Sequence, residues 1–273
     1  MPSNTAPTDI TAIVTGAARG MGRAMTLGLV AAGVRVTAVD LPSCRTEMGE
    51  VLEAARRQGA GERIVAVECD ITHWPDCVRA VQAATERFGA VHGLVNNAGI
   101  AVPDADLASG RPRRRRFYEH EPDAWRQVID TNITGSFQMA KSIAPTLVAQ
   151  GWGRIVNVTT SHSTMVMEGF SPYGPSKAAL EAATVIWAKD LAGTGVTVNA
   201  LVPGGPGNTR MVPLDEMPDR ERLVQPAAMA APIVWLLSQA SDGITGRRFI
   251  AKDWDPALDP SVAARKAGAA AGW

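Results

Sequence analysis

Cysteine is scarce in this sequence, and its few cysteines form no close pair. Cys44, Cys69 and Cys77 are an odd number without CxxC spacing, a usage that suits a reducing compartment better than a disulfide-bonded secreted scaffold. The four histidines are scattered, and no cysteine cluster of zinc-binding spacing accompanies them. We therefore expect a cytoplasmic protein without a metal site.

Long apolar runs and an excess of charge are also lacking. No window approaches the ~18 unbroken apolar residues of a membrane span, and residues 1–9 have neither the basic residues nor the apolar segment of a signal peptide. Lys plus Arg number 27 and Asp plus Glu number 27, so no net field attracts the protein to nucleic acid or to an anionic membrane. We expect neither partner, and we expect residues 1–9 to form a flexible tail.

Short apolar runs alternate with longer helical patterns over the 273 residues. Apolar runs that are buried on both faces and joined through helices predict a parallel sheet with right-handed crossovers. Because no linker or internal repeat divides the chain, we predict one α/β domain over residues 1–273, a Rossmann-type doubly wound sheet of about seven strands with helices on both faces. The predicted strands are Ala12–Thr15, Val34–Asp40, Ile64–Cys69, Val91–Val95, Arg154–Thr159, Val196–Val202 and Arg247–Ala251. The predicted helices are Met21–Ala32, Arg45–Gln58, Trp74–Phe88, Asp123–Gln150, Ser176–Leu191 and Ala227–Ser238.

Two segments depart from this alternation. Residues 101–122 lack periodicity, exceed the usual connection length and contain an arginine run at Arg111–Arg116. We expect a loop that is solvated or contacts another subunit; alternatively, it borders the active site and favours an anionic substrate. Glu119, Glu121 and Asp123 follow at once and argue against a nucleic-acid patch. Residues 255–273 form a C-terminal extension, which we expect to be a short helix or a tail that packs on a neighbour.

A glycine-rich turn follows the first predicted strand. Gly16, Gly20 and Gly22 stand where a helix opens, and glycines there let the backbone approach a pyrophosphate while the helix N-terminus offers free N–H groups. Asp40 ends the second strand about 20 residues later, where a carboxylate accepts hydrogen bonds from the ribose hydroxyls of a dinucleotide. Glycines are common at strand–helix turns, and Asp40 could equally cap a strand end. Their order along the chain favours a dinucleotide site.

Tyr173 and Lys177 lie four residues apart, so on a helix they share one face. Pro175 between them is tolerated only in a first turn, which places the pair at the start of a helix. A phenol with a pKa near ~10 is a poor base at pH 7, and a nearby lysine ammonium should lower that pKa. The pair therefore predicts proton transfer to or from an alcohol or carbonyl oxygen.

Three motifs in order along the chain resemble those of the short-chain dehydrogenase/reductase family. They are TGAARGMG at 15–22, NNAG at 96–99 and YGPSK at 173–177. The resemblance extends from about residue 11 to residue 251. It implies a nicotinamide cofactor that carries hydride, with Tyr173 as acid and base and Lys177 holding the nicotinamide ribose.

The resemblance implies further site residues, with one departure from the family pattern. The helical asparagine of the family corresponds to Asn132, which would tether a water to the lysine. The serine found thirteen residues before the tyrosine is here Thr160, and the adjacent Ser161 is the alternative. The implied cofactor contacts are Gly16, Arg19, Gly20, Met21, Gly22, Asp40, Asp70, Ile71, Asn97, Ala98, Gly99, Tyr173, Lys177, Pro203, Gly204 and Thr209. Spacing alone would put the last of these at Asn208, and a one-residue insertion moves it to Thr209.

The choice of cofactor rests on two residues with opposite implications. Arg19 often accompanies NADP in the family, because its charge can meet the 2′-phosphate. Asp40 opposes that phosphate directly, so we predict NAD, with NADP as the second choice. We predict an enzyme that transfers hydride between NAD and a secondary alcohol or ketone. The alternatives are an NADPH-dependent carbonyl reductase and a non-catalytic dinucleotide sensor, and the family resemblance leads us to expect a homodimer or homotetramer.

Overall fold

One sheet of eight strands runs through the computed structural model, which describes residues 9–102, 114–212, 214–215 and 217–273. The strand order is β3-β2-β1-β4-β5-β6-β7-β8. Strands β1 to β7 are parallel, and β8 runs antiparallel to β7. The strands are β1 Thr11–Thr15, β2 Arg35–Asp40, β3 Ile64–Glu68, β4 Gly93–Asn96, β5 Gly153–Val158, β6 Val196–Val202, β7 Arg247–Ile250 and β8 Gly268–Ala270.

Helices cover both faces of this sheet. One apolar cluster packs α1, α2, α8 and α9 on one face, and a second packs α3, α5 and α7 on the other. The helices are α1 Gly20–Ala31, α2 Arg45–Arg57, α3 Trp74–Phe88, α4 Pro122–Ile129, α5 Ser136–Gln150, α6 His162–Met165, α7 Tyr173–Asp190, α8 Ala230–Leu236 and α9 Pro260–Ala267. Among the described residues, none of the helices combines the length and the apolar character that a bilayer span requires.

The predicted Rossmann-type doubly wound fold is confirmed, and the seven predicted strands are present with ends that differ by two residues at most. A π-helical turn, the short helix α6 and an eighth strand were not predicted. The helix expected over Asp123–Gln150 contains a π-helical turn at Asp130–Gly135, which joins α4 to α5. The C-terminal extension forms the short helix α9, one of its two expected forms, and adds the unpredicted eighth strand, whose Gly268–Ala270 backbone pairs with Arg247–Phe249. Gly and Ala have little strand propensity, so this strand forms because the edge of β7 offers unpaired backbone groups.

The functional end of the sheet is where its parallel strands finish. The chain order reverses between β1 and β4, and in open α/β sheets ligands bind outside the carboxyl ends of strands at such a point. A cleft of about 1850 Å³ opens there. That volume exceeds the roughly 300–1,000 Å³ of a pocket for one small ligand, and it has room for a dinucleotide and a substrate together.

Candidate active site

The glycine turn between β1 and α1 is a close backbone contact. Gly16 and Gly20 have left-handed backbones, with φ of 63° and 53°. A Cβ on Gly22 would lie 1.9 Å from the carbonyl oxygen of Gly16, and a Cβ on Gly16 would lie 2.9 Å from the Cα of Ala98. The first turn of α1 therefore sits directly against the loop, with its free N–H groups beside the cleft.

The turn after β4 stabilises the glycine loop through hydrogen bonds. The side-chain amide of Asn97 donates to the carbonyl oxygens of Thr15 at 2.9 Å and Gly16 at 3.1 Å. In return, the hydroxyl of Thr15 accepts the backbone N–H groups of Asn97 and Ala98, both at 3.0 Å. Asn97, Ala98 and Gly99 line the cleft. These three residues are predicted cofactor contacts, whereas the hydrogen bonds between Thr15 and Asn97 have no signal in the sequence.

Asp40 and Arg19 lie together at the end of β2 that faces the cleft. The carboxylate of Asp40 accepts the N–H of Ala18 in the glycine loop at 2.9 Å and that of Leu41 at 2.9 Å. Arg19 donates to the sulfur of Cys44 at 3.2 Å and pairs with Glu47 at 3.5 Å. The acid therefore faces the cleft from a fixed position, while the charge of Arg19 is met by a neighbouring carboxylate.

The turn after β3 contains Asp70 and Ile71, which also line the cleft. One carboxylate oxygen of Asp70 accepts the backbone N–H of Thr72 at 2.9 Å and its hydroxyl at 2.7 Å. Ile71 is buried, and a Cβ added to Gly135 of the π-helical turn would come within 2.7 Å of its side chain. These contacts fix the position of this part of the cleft wall.

Tyr173 and Lys177 occupy the first turn of α7, as the proline between them predicted. The Lys177 side chain is 4% exposed, and its Nζ donates to the carbonyl oxygen of Val158 at 2.8 Å. Burial lowers the pKa of Lys177 to about 8. Tyr173 is partly accessible from the cleft, yet burial raises the pKa of its phenol to about 12, and a hydrogen bond from Thr160 acts in the opposite direction. The expectation of a lowered tyrosine pKa was wrong, because the loss of hydration around the phenolate is the larger effect.

Thr160 and Ser161 have different environments at the end of β5. Thr160 lines the cleft close to Tyr173, and its hydroxyl acts to lower the pKa of that phenol. Ser161 is the N-cap of α6, and its hydroxyl accepts the backbone N–H of Thr164 at 3.2 Å and lies 2.8 Å from the Thr164 hydroxyl. The geometry thus brings Thr160, and not Ser161, to the tyrosine.

Asn132 is wholly buried in the π-helical turn. Its Oδ1 accepts the N–H of Ile100 at 2.8 Å, and its Nδ2 donates to the Ile100 carbonyl and to the Ser176 hydroxyl, both at 2.9 Å. Both amide hydrogens are therefore used within the protein. A Cβ on Gly99 would lie 3.0 Å from the Asn132 oxygen and 3.3 Å from Lys177 Nζ, so the asparagine is a neighbour of the lysine, as expected.

The loop after β6 closes the cleft from the opposite side. Pro203 and Thr209 line it, whereas Gly204, with φ of 97°, makes the turn behind that lining. A Cβ on Gly20 would lie 3.0 Å from the methyl group of Thr209. Asn208 also lines the cleft, but its side chain donates to Gln225 at 2.8 Å and accepts from Arg220 at 2.8 Å. Of the two candidates for this contact, Thr209 is the one that reaches the glycine loop.

Part of the arginine run reaches the cleft. The guanidinium of Arg114 lies 5.0 Å from the centre of the Phe170 ring, and that ring packs edge-on to Tyr173 at 6.3 Å. Arg116 is exposed and pairs with Glu168 at 2.5 Å. Arg111 and Arg113, like half of the segment expected over 101–122, lie outside the described residues, and so do residues 1–8 of the expected N-terminal tail.

Comparison with known proteins gives a consistent result. A sequence profile of the family described as short chain dehydrogenase matches residues 10–217. The 3-oxoacyl-(acyl-carrier-protein) reductase of Synechocystis sp. is 32% identical over 251 residues, which cover 90% of this chain and 96% of the relative. The chloroplastic NADPH-dependent aldehyde reductase-like protein of Arabidopsis thaliana is 31% identical, covering 89% of this chain and 87% of the relative. Among solved structures, the Brucella melitensis 3-ketoacyl-(acyl-carrier-protein) reductase complexed with NADH has a TM-score of 0.71 and 27% identity, covering 86% of this chain and 93% of that one.

Proposed function

This chain belongs to the short-chain dehydrogenase family, and we propose that it interconverts a secondary alcohol and the corresponding ketone with NAD. The observation that carries the proposal is the group formed by Tyr173, Thr160 and Lys177 beside the glycine loop. A phenol that faces the cleft, a hydroxyl close to it and a buried ammonium are the groups that proton transfer to a carbonyl oxygen requires.

The cleft fits a dinucleotide on two observations. The contact between Gly16 and Gly22 leaves no room for a side chain, so the loop backbone itself forms the surface that would meet a pyrophosphate. Asp40 stands at the end of β2, where an adenosine ribose would present its hydroxyls. A bound nicotinamide supplies or accepts the hydride, and the protein supplies orientation and the proton.

The proton side of the reaction follows from the pKa values. With a pKa of about 12, the Tyr173 phenol is protonated at neutral pH and can donate to a ketone oxygen. The nearby Thr160 hydroxyl stabilises the phenolate that remains. Lys177, with a pKa of about 8, is mostly charged at pH 7, and a cation one helical turn from Tyr173 favours the phenolate. In alcohol oxidation the same groups act in reverse, and Tyr173 takes the proton.

The preference for NAD is supported by how the charges are paired. The Asp40 carboxylate is held toward the cleft by two backbone N–H groups. Arg19, which could offset a 2′-phosphate, is shared between Cys44 and Glu47, and Glu47 also pairs with Arg210 at 3.6 Å. A 2′-phosphate would therefore meet a fixed acid first. Two of the similar proteins carry NADPH or NADH in their names, so relatedness alone does not choose between the cofactors.

Replacing Asp40 tests the cofactor proposal. We expect Asp40→Ala to shift the ratio of kcat/KM with NAD to kcat/KM with NADP toward NADP by ~10-fold or more, because the repulsive group is removed. Glu68→Gln is a matched control: it removes an acid from the paired position on β3, outside the cleft lining, and should leave the ratio unchanged. A wild-type enzyme that already prefers NADP would contradict the proposal and support the NADPH-dependent carbonyl reductase instead.

A panel of alcohols and ketones, followed at the nicotinamide absorbance with each cofactor, tests the reaction itself. We expect turnover with at least one secondary alcohol and ketone pair. Cofactor binding without turnover of any member of a broad panel would support the dinucleotide sensor. Assembly as a homodimer or homotetramer stays a prediction, which light scattering can check.

A further inference from the structure

A buried ion pair lies behind the strand end that carries Thr160. Glu181 stands on α7 one turn after Lys177 and is 0% exposed. Its carboxylate accepts the Thr159 hydroxyl at 2.7 Å and lies 3.8 Å from the guanidinium of Arg248 on β7. The same guanidinium donates to the carbonyl oxygen of Thr160 at 3.0 Å. Two charged side chains thus hydrogen-bond to two successive residues, Thr159 and Thr160, at the end of β5.

Filling space in the core does not explain why Glu181 and Arg248 are charged residues. A carboxylate and a guanidinium lose their hydration when they are buried, and apolar side chains of similar size fill such a space at less cost. Here each group makes a hydrogen bond to the strand end: Glu181 to the Thr159 hydroxyl, and Arg248 to the backbone of Thr160, which is 88 residues away from it in the chain. That use points to a role in placing the strand end.

The last residues of the sequence contact the same carboxylate, that of Glu181. After β8, the backbone N–H of Gly272 donates to Glu181 at 3.3 Å. The ring of Trp273 stacks on His162, with ring centres 6.2 Å apart and planes 24° apart, and His162 Nε2 lies 3.9 Å from Glu181. The C-terminal segment, residues 268–273, therefore covers the ion pair from the side of β7.

We propose that Glu181 and Arg248, held in place by the C-terminal segment, are positioning residues that fix Thr160 against Tyr173. This inference rests on the proposed function, because it assigns the group a part in the same reaction. Holding the Thr160 carbonyl fixes the peptide plane, and a β-branched side chain on a fixed backbone has few rotamers. Its hydroxyl is then placed at the phenol before substrate binds, and misplacement by about 1 Å can cost up to ~10²-fold in rate.

Two arginines on one strand provide a matched comparison. Arg248 is buried, and its neighbour Arg247 is exposed on β7. We expect Arg248→Met to lower kcat by ~10-fold or more while the Kd for NAD stays within about twofold of wild type. Arg247→Met should change neither. If Arg248→Met lowers only the Tm, or acts no differently from Arg247→Met, the residue is merely structural and the inference is overturned.

A double-mutant cycle separates positioning from general damage. If Arg248 acts through Thr160, Arg248→Met should lower kcat by less than about twofold in a Thr160→Val background, because the group it positions is already gone. Full additivity of the two losses would contradict the proposal. Should Arg248→Met not fold, Arg248→Lys and Glu181→Gln enter the same cycle, since each keeps part of the hydrogen bonding.

Hydrogen exchange tests the placement without any substrate. In wild type, the Thr159 N–H is bonded to the Leu201 carbonyl at 3.1 Å. We expect Arg248→Met, and deletion of Gly272 and Trp273, to speed amide exchange in a peptide spanning residues 155–165 by ~10-fold or more, while Arg247→Met leaves it unchanged. Unchanged exchange in both variants overturns the inference whatever the reaction proves to be, so its failure is distinguishable from failure of the proposed function.

Discussion

At the scale of single residues, burial changes the two proton-transfer groups in opposite directions. The phenol of Tyr173 becomes harder to ionise, with a pKa of about 12, and the ammonium of Lys177 becomes easier to neutralise, with a pKa of about 8. Desolvation disfavours the charged form of each group. At neutral pH the pair is therefore a neutral acid beside a cation, the state in which ketone reduction begins.

The pH dependence of ketone reduction follows from Lys177. As the pH rises through about 8, the ammonium loses its proton while the Tyr173 phenol keeps its own. We expect kcat/KM for an uncharged ketone to fall above about pH 8, because the cation that stabilises the phenolate is lost. The Lys177→Arg variant, whose guanidinium stays charged, should lack that decline even if its activity is lower. A flat wild-type profile up to pH 10 would contradict this reading.

The two hydroxyls at the end of β5 can be separated by nearly isosteric changes. Thr160→Val removes the hydroxyl that meets Tyr173, and Ser161→Ala removes the one that caps α6. We expect Thr160→Val to lower kcat by ~10-fold or more, within the range of a positioned hydrogen-bond donor. Ser161→Ala should act mainly on stability, by about 0.5–2 kcal/mol as for a lost N-cap. Steady-state kinetics and thermal unfolding measure the two effects, and the reverse order in kcat would assign the role to Ser161.

At the scale of elements, the glycine loop and α1 depend on a contact that no side chain can enter. Gly22 and Gly49 are both helical glycines with opposite surroundings. A Cβ on Gly22 meets the backbone of Gly16 at 1.9 Å, whereas one on Gly49 meets nothing within 4 Å. We expect Gly22→Ala to abolish measurable NAD binding by calorimetry, since backbone atoms would have to move.

Gly49→Ala is the control for that change. It should retain binding and raise the free energy of unfolding by ~0.5–1 kcal/mol, because alanine is the better helix former. Equal binding by the two alanine variants would show that the loop does not need its close contact.

The elements also show what the sequence could predict. Buried parallel strands are continuous apolar runs, and glycine and proline mark their joints, so the order of strands and helices followed directly. The π-helical turn around Asn132 and the strand at Gly268–Ala270 have no such local pattern. Each depends on partners elsewhere in the chain. The π-helical turn depends on Ile100 and Ser176, and the strand at Gly268–Ala270 depends on the edge of β7.

At the scale of the whole molecule, the active site is assembled where β1, β4, β5 and β6 end. Residues far apart in sequence meet there: the glycine loop near residue 16, the turn at 97, the strand end at 160, and α7 from 173. Sequence motifs located these parts because each is a short pattern with its own chemistry. The pairing of Glu181 with Arg248 could not be predicted from sequence. An acid on a helix and an arginine on a strand are usually surface residues, and only the fold brings these two together.

The measurement that tests the central claim most directly is turnover by Tyr173→Phe, beside NAD binding by the same variant. The change removes one hydroxyl and keeps the ring. We predict a fall in kcat of ~10²-fold or more, the usual contribution of a positioned acid or base, with the Kd for NAD within a few-fold of wild type. Tyr118→Phe, at the other tyrosine of the chain, which is 71% exposed, should leave both unchanged. Near-normal turnover by Tyr173→Phe would contradict the proposed mechanism.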